Sequence, residues 1–326
     1  MSVLVTGATG FVGSHLAAHL ARRGDDVRCL VRRPAEAGWL AALGVRVVAG
    51  ALDDAGSLQA AVAGVDVVYH LAGLTAAGSE REFLAVNAEG TARLLEAAAA
   101  ARPAPARFVH VSSLAAVGPT EPGQLVTEAS PCRPVTAYGR SKLAGEAVVR
   151  RSALAWTIVR PPAVYGPRDR ELLRMFRIVR FGFAPVFGRG AQELSLVYAE
   201  DLAAGIAQAA AAPPAAGATY HLAHPGIVRS RELVREIGRA VRGRAPFIVP
   251  VPPAIAARVV RAIGRAAAAA GRRTVVSEDQ MAEFLAPAWG TSVAKAEREL
   301  GWRPPHDLRR GLAATAAWYR AEGLLR

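Results

Sequence analysis

Tyr138 and Lys142, four positions apart in Tyr138-Gly139-Arg140-Ser141-Lys142, are a pair of side chains able to manage a proton. On a helix, residues four apart share a face, so both can address one ligand. An ammonium beside a phenol favours the phenolate, so Lys142 is expected to lower the tyrosine pKa. Tyr138 would then serve as a general acid/base near neutral pH. Lys142 is one of only two lysines, with Lys295, among 40 basic residues, and arginine could not replace its tunable charge. Ser112 and Ser113 end the apolar run Phe108–Val111, where a hydroxyl can hydrogen-bond a carbonyl or alcohol oxygen. Ser113 is the expected partner, with Ser112 as the fallback. The Y-x-x-x-K spacing also arises by accident, so the rest of the chain must support it.

Thr6-Gly7-Ala8-Thr9-Gly10-Phe11-Val12-Gly13 supplies a second chemistry. Gly7 would allow a tight turn, Gly10 a close approach to a pyrophosphate, and Gly13 a close helix–strand contact. The free N–H groups of the following helix would then hold phosphates. The motif lies between a strand and a helix, which is the context nucleotide binding requires. At the end of the second strand, a carboxylate would grip a ribose 2′-hydroxyl. The chain instead reads Val31-Arg32-Arg33-Pro34. Arg32 is therefore expected to clamp a 2′-phosphate, favouring NADP over NAD. The bland reading is two more arginines in an arginine-rich chain.

The elements that must carry these residues are legible from periodicity. Val3–Val5, Val27–Val31, Val45–Val48, Val65–Leu71, Phe108–Val111 and Trp156–Arg160 read as buried strands. Phe11–Arg23, Ser57–Ala63, Asn87–Ala101 and Ser141–Arg151 read as helices between them. Strands apolar on both faces and separated by helices predict a doubly wound parallel α/β sheet of Rossmann type. Beyond Pro161, Glu171–Phe181, Asp201–Ala211 and Ala254–Ala270 read as helices and Ala218–Leu222 as a strand. We expect a cofactor domain over 1–165 and a substrate lobe over 166–326 that interleaves with the last strands.

The remaining signals mostly exclude. The 326 residues are 52% hydrophobic and 21% charged, which rules out a disordered chain. The net charge of +13 comes from scattered arginines without a long basic run or interleaved aromatics, so nucleic acid is not an expected partner. The field still favours phosphorylated ligands and anionic surfaces. No 18-residue apolar stretch predicts a membrane span. Met1 leads directly into the first strand without a signal-like segment, so a cytoplasmic location is expected. Cys29 and Cys132 lack metal-type spacing and read as reduced thiols. His221 and His224 would fall on opposite faces of a strand, so no metal is expected. No G-x-S-x-G elbow points to a hydrolase. Asp201 reads as a helix N-cap, and Arg168-Asp169 as either a substrate contact or a surface ion pair. Met175, Phe176, Phe181, Phe183 and Phe187 could wall an apolar pocket or pack a core.

The motifs TGATGFVG (6–13), HLAG (70–73), NAEGT (87–91), VSS (111–113), YGRSK (138–142) and RPPAVYGP (160–167) occur in one order. Together with AKAERELGWRP (294–304), they make the chain resemble the extended short-chain dehydrogenase/reductase family, or NAD(P)-dependent epimerase/dehydratases. The likeness covers essentially the whole chain and runs towards dihydroflavonol reductase and 3β-hydroxysteroid dehydrogenase-like members. It implies that Gly7, Gly10, Phe11, Val12 and Gly13 lie along the pyrophosphate, and that Leu71, Ala72 and Gly73 line the path to the nicotinamide. It implies Tyr138 as proton donor/acceptor, Lys142 on the nicotinamide ribose, Pro161 and Val164 against the ring, and Asn87 helping to place the cofactor. Two departures stand out. The family's Gly-Asp-Leu is Gly50-Ala51-Leu52 here, so only Leu52 remains as an adenine contact. The epimerase-type hydroxyl position falls on Leu114.

These readings predict an NADP-dependent oxidoreductase interconverting a ketone and a secondary alcohol on a hydrophobic small molecule. The alternative is an NAD-retaining sugar-nucleotide epimerase or dehydratase. The third reading is a non-catalytic NADP-binding protein. A homodimer is the family expectation.

Overall fold

The computed structural model describes residues 1–252, 254–255, 258 and 278–325. The central sheet is built from β1 (Ser2–Thr6), β2 (Asp26–Val31), β3 (Arg46–Ala49), β4 (Val67–His70), β5 (Arg107–Val111) and β6 (Trp156–Arg160). Then follow β7 (Ala163–Tyr165), β8 (Phe183–Phe187), β9 (Glu193–Leu194), β10 (Leu196–Tyr198), β11 (Ala218–His221), β12 (Val228–Arg229), β13 (Phe247–Val251) and β14 (Ala288–Trp289). The sheet order is β11-β6-β5-β4-β1-β2-β3, and every pairing within it is parallel. The strand order reverses between β1 and β4, which opens a crevice beyond their carboxyl ends.

Helices cover both faces because the strands are apolar on both. Helix α1 (Phe11–Arg22) buries Gly13, Leu16, Ala17 and Leu20, a stripe at helical spacing. With Leu202, Ala203 and Ile206 of the helix Ala199–Ala211, this stripe seals one face against Val3, Val5 and Tyr69. Each fully buried leucine contributes about 1.5–3 kcal/mol relative to an exposed one. On the other face, Leu58, Leu94, Leu95 and Val149 from three helices pack on Leu4, Val68, Phe108 and Ile158.

A second core holds Leu173, Phe176, Val179, Val234, Ile237, Leu312 and Tyr319. Between the two readings of residues 175–187, pocket wall or core, the structure divides the side chains. Phe176 is sealed in this core and Met175 packs partly against it, whereas Phe181, Phe183 and Phe187 face solvent. The short strands of this region carry no clean alternation, and sequence periodicity missed seven of them. The expected helix Ala254–Ala270 lies almost wholly outside the described residues. Asp201 is also not the cap that was expected. Its carboxylate accepts from the His306 backbone N–H at 3.1 Å and pairs with His306 Nδ1 at 2.7 Å, tying the helix to the C-terminal segment.

Candidate active site

The glycine turn is compact. Gly7 has φ +75°, and a Cβ there would come within 2.6 Å of the Ala72 nitrogen. A Cβ at Gly13 would drive into the Gly7 carbonyl oxygen, so glycine is required for α1 to start directly behind the turn. Gly10 is the N-cap and offers no side chain to the first-turn N–H groups, and no acidic residue stands there. Those N–H groups, with the positive end of the helix dipole, are available to an anion.

A cleft of about 880 Å³ begins here, lined by Gly10, Phe11, Val31, Arg32, Trp39 and Arg168 among others. Arg32 is exposed at its rim, and Arg33 is paired with Glu36 at 3.1 Å. Arg168, with φ +71°, comes from the far wall and lies over the Trp39 ring at 5.9 Å. It forms no pair with Asp169, whose carboxylate instead accepts from the N–H groups of Glu171 and Leu172 at 2.8 and 3.1 Å. The cleft residues fit a dinucleotide: an uncapped helix terminus for a pyrophosphate, then guanidinium groups where a ribose phosphate would follow.

The loop after β4 is held by the polar side chains of Thr6 and Asn87. The Leu71 N–H donates to the Thr6 carbonyl at 3.2 Å, and the Ala72 N–H to Thr6 Oγ1 at 3.2 Å. Asn87 sits in a π-helical turn (Ala85–Glu89), accepts from the Leu74 N–H at 2.7 Å, and donates to the Leu74 carbonyl and Ser141 Oγ. Both of its amide hydrogens are used, so it fixes the Leu71–Leu74 loop and ties it to the helix carrying Tyr138. Leu52 packs beneath Gly90, and its carbonyl accepts from Arg93 Nε at 3.0 Å. Thr91 donates to the Asn87 carbonyl, so its oxygen must accept from His70 Nε2–H at 2.9 Å. His70 Nδ1 is then the acceptor for Thr6 Oγ1 at 2.7 Å. Burial beside Lys142 pushes the His70 pKa down to about 3, so the ring stays neutral.

Tyr138 is positioned by a cap. Thr136 Oγ1 accepts from the Gly139 N–H at 3.0 Å and starts the helix Ala137–Arg150, earlier than periodicity indicated. Gly139 lets that helix lie on the Ala115 carbonyl, which brings the first turn against the Ser113–Ala116 segment. Ser113 Oγ accepts from the Ala115 N–H at 3.1 Å and lies beside the Tyr138 hydroxyl, whereas the buried Ser112 Oγ has no hydrogen-bond partner. Leu114, the epimerase-type position, is buried. Phe83 stands 6.0 Å from the Tyr138 ring.

The expected tuning of Tyr138 by Lys142 is not what this arrangement produces. Burial pushes the Tyr138 pKa up to about 12, Glu283 and Glu171 push the same way, and only the Ser113 hydroxyl opposes them. Lys142 Nζ is committed to the Val111 carbonyl at 2.8 Å, and burial lowers its own pKa to about 8. Pro161 and Val164 follow β6, with the Pro161 carbonyl accepting from the Leu114 N–H at 2.8 Å.

A buried network supports this floor. Glu146 binds Arg160 through two contacts of 2.8 and 2.7 Å. His221 Nε2 lies 3.5 Å from Arg160, and its Nδ1 is 2.5 Å from Thr291 Oγ1. His221 is thus a network member, and His224 Nδ1 accepts from the Gly226 N–H at 3.0 Å. Among the described residues, no group of three or more His, Cys, Asp or Glu could hold a metal, and no helix is long and apolar enough to cross a membrane.

A seven-stranded parallel Rossmann sheet, a glycine turn at its switch point and a serine after β5 facing a Tyr-x-x-x-Lys helix together define an extended short-chain dehydrogenase/reductase. The chain belongs to the NAD dependent epimerase/dehydratase family, whose profile matches residues 3–223. It is 39% identical over 203 residues to a ceramide reductase of Caulobacter vibrioides, covering 62% of this chain and 58% of that one. It is 35% identical over 179 residues to a 4-hydroxy-2-methyl-3-oxo-4-farnesyl-3,4-dihydroquinoline-1-oxide ketoreductase of Stigmatella aurantiaca, covering 53% of each. These two matches span little more than half the length of the relatives. Among solved structures, the dTDP-glucose 4,6-dehydratase DesIV of Streptomyces venezuelae, with NAD bound, superposes with a TM-score of 0.78. That pair is 27% identical, over 98% of this chain and 97% of the other.

Proposed function

We propose that the protein is an NADP-dependent reductase that interconverts a ketone and a secondary alcohol on a hydrophobic small molecule. The observation that carries this reading is the Ser113 hydroxyl beside Tyr138, in a chain whose glycine turn and Arg32 line a separate stretch of cleft suited to a dinucleotide. The relatives that reduce a ceramide and a farnesylated quinoline ketone support the hydrophobic substrate class. Residues 1–165 would serve the cofactor and 166–326 chiefly the substrate.

When bound, a nicotinamide dinucleotide supplies the hydride to the carbonyl carbon. Ser113 Oγ hydrogen-bonds the substrate oxygen and orients it, and the Tyr138 hydroxyl gives that oxygen its proton. An elevated Tyr138 pKa makes the phenol hold its proton until charge develops on the substrate oxygen. Lys142, released from the Val111 carbonyl, would stabilise the phenolate that remains. Gly7, Phe11, Val12 and Gly13 would border the pyrophosphate and Arg32 the 2′-phosphate. Leu52, Leu71, Ala72, Gly73, Asn87, Pro161 and Val164 would shape the path between.

Calorimetric titration with NADPH and NADH at matched salt tests the cofactor assignment. NADPH should bind at least about tenfold tighter, which is about 1.4 kcal/mol, and Arg32→Ala should remove that preference. Equal affinities would overturn the clamp. They would favour the second reading, an NAD-dependent sugar-nucleotide epimerase or dehydratase, which the likeness to the dTDP-glucose dehydratase supports.

A further inference from the structure

Strands β8 and β13 pair in parallel as a two-stranded ribbon, with Phe183 opposite Phe247, Pro185 opposite Val249 and Phe187 opposite Val251. The residues between them point the other way, and Ala184 and Val186 are buried in the lobe. The outward row should therefore be polar if it met only water. It is apolar throughout: Phe247 is 75% exposed, Phe183 46%, Phe187 39% and Val249 36%. Phe181, 66% exposed, extends the row towards the C-terminal segment. A contiguous apolar face of this kind marks an interaction surface.

The charge around it selects the partner. Residues 172–192 and 240–252 contain Arg174, Arg177, Arg180, Arg189, Arg242 and Arg244, and neither stretch contains Asp or Glu. Arg180 stacks on the Phe181 ring at 4.8 Å, and the Arg242 guanidinium lies against Gly182. A shallow cleft of about 440 Å³ beside the row is lined by Arg177, Arg180, Phe181, Gly323 and Leu324. Aromatic rings flanked by guanidinium groups match the two layers of a membrane surface, an acyl boundary beneath a plane of phosphates. A second copy of the chain would bring arginines against arginines, since a two-fold contact meets the same patch.

We infer that the ribbon β8–β13 is an interfacial docking surface for an anionic lipid bilayer. Its phenylalanines enter the headgroup region, and the flanking arginines meet the lipid phosphates. The helix Leu172–Val179 links this surface to Glu171, one of the two carboxylates that act on Tyr138. Such docking does not depend on which substrate the active site takes.

Co-sedimentation of the full chain with vesicles tests it. Vesicles of phosphatidylcholine with phosphatidylglycerol should bind the protein, vesicles of phosphatidylcholine alone should bind it weakly, and 0.5 M salt, roughly 4 Å of screening length, should weaken binding to the anionic vesicles. The exposed double variant Phe181→Ser/Phe247→Ser should lose at least about tenfold in vesicle partition, with dinucleotide titration reporting an intact fold. In Phe247→Trp, quenching by brominated lipid should appear only with anionic vesicles. Failure of the wild type to bind would overturn the inference. Undiminished binding by the double variant would also overturn it, moving the contact elsewhere, for example to residues 253–277. A dimer in sedimentation velocity that the double variant abolishes, without vesicle binding, would assign the surface to a second copy instead.

Discussion

Glu146 and Arg160 meet through both carboxylate oxygens at 2.7 and 2.8 Å with both side chains sealed from solvent, directly below the Ser112–Ser113 segment. Arg150 adds a third contact to the same carboxylate at 2.8 Å. Burial alone would raise the Glu146 pKa, but the guanidinium groups hold it below the usual carboxylate range. Removing one partner leaves the other charge buried and unpaired. Glu146→Ala should therefore destabilise the fold by about 3–5 kcal/mol. Urea denaturation measures this, and a loss below about 1 kcal/mol would contradict the paired geometry.

Gly13→Ala should be severe for a geometric reason. The added Cβ would overlap the Gly7 carbonyl, so either α1 or the turn must move. Dinucleotide affinity should fall at least about tenfold, because the first-turn N–H groups no longer converge on one anion. Unchanged affinity in a titration would show that the turn does not hold the cofactor.

Tyr138→Phe keeps the ring beside Phe83 and removes only the hydroxyl. Turnover should drop by about 10²–10⁴-fold with dinucleotide binding preserved. Ser113→Ala should give a smaller loss in turnover, while Ser112→Ala should affect stability more than turnover. Stopped-flow reduction of a model ketone separates these outcomes, and equal effects of the two serine variants would refute the assignment.

Acid should destabilise the protein through its histidines. Burial lowers His15 to about 4, and His70 and His221 to about 3, against 6.5 when unfolded. Between those values the unfolded chain binds more protons, so stability falls as pH drops below about 6.5. Asp169 works in the opposite sense. Its carboxyl is raised to about 6, so between about 4 and 6 the folded state holds a proton that the unfolded state has lost. His110, buried and held well below its ordinary value, adds in the same sense as the other histidines, so acidification should cost stability on balance. Denaturant midpoints measured from pH 7 to 4 check the slope, and a flat profile would be incompatible with neutral buried rings.

How far the sequence could be read follows from where each residue's partner lies. Strands β1, β2, β4, β5 and β6 were legible because their apolar runs repeat the same two-sided burial. Gly7, Gly10 and Gly13 were legible because their reason is local, a turn and the first residues of a helix. Tyr138 and Ser113 could be singled out from local motifs, but the rise in the Tyr138 pKa could not. It comes from burial and from Glu171 and Glu283, far along the chain. Lys142 misled for the same reason, since its partner in the fold is the Val111 carbonyl rather than the phenol. Asp201 could be read as a cap only while His306, over a hundred residues later, was out of view. The exposure of Phe181, Phe183 and Phe187 was equally hidden, because composition does not say which face of a short ribbon turns outward.

The place of β11 has a consequence for how the chain must be synthesised and handled. It pairs with β6 as Ala218 with Thr157 through His221 with Arg160, although residues 161–217 separate them in sequence. Until residue 221 has emerged, β6 is an open edge whose flanking strands already expose apolar surface. A fragment ending at residue 165 should therefore self-associate through that edge rather than persist as a small soluble dinucleotide binder.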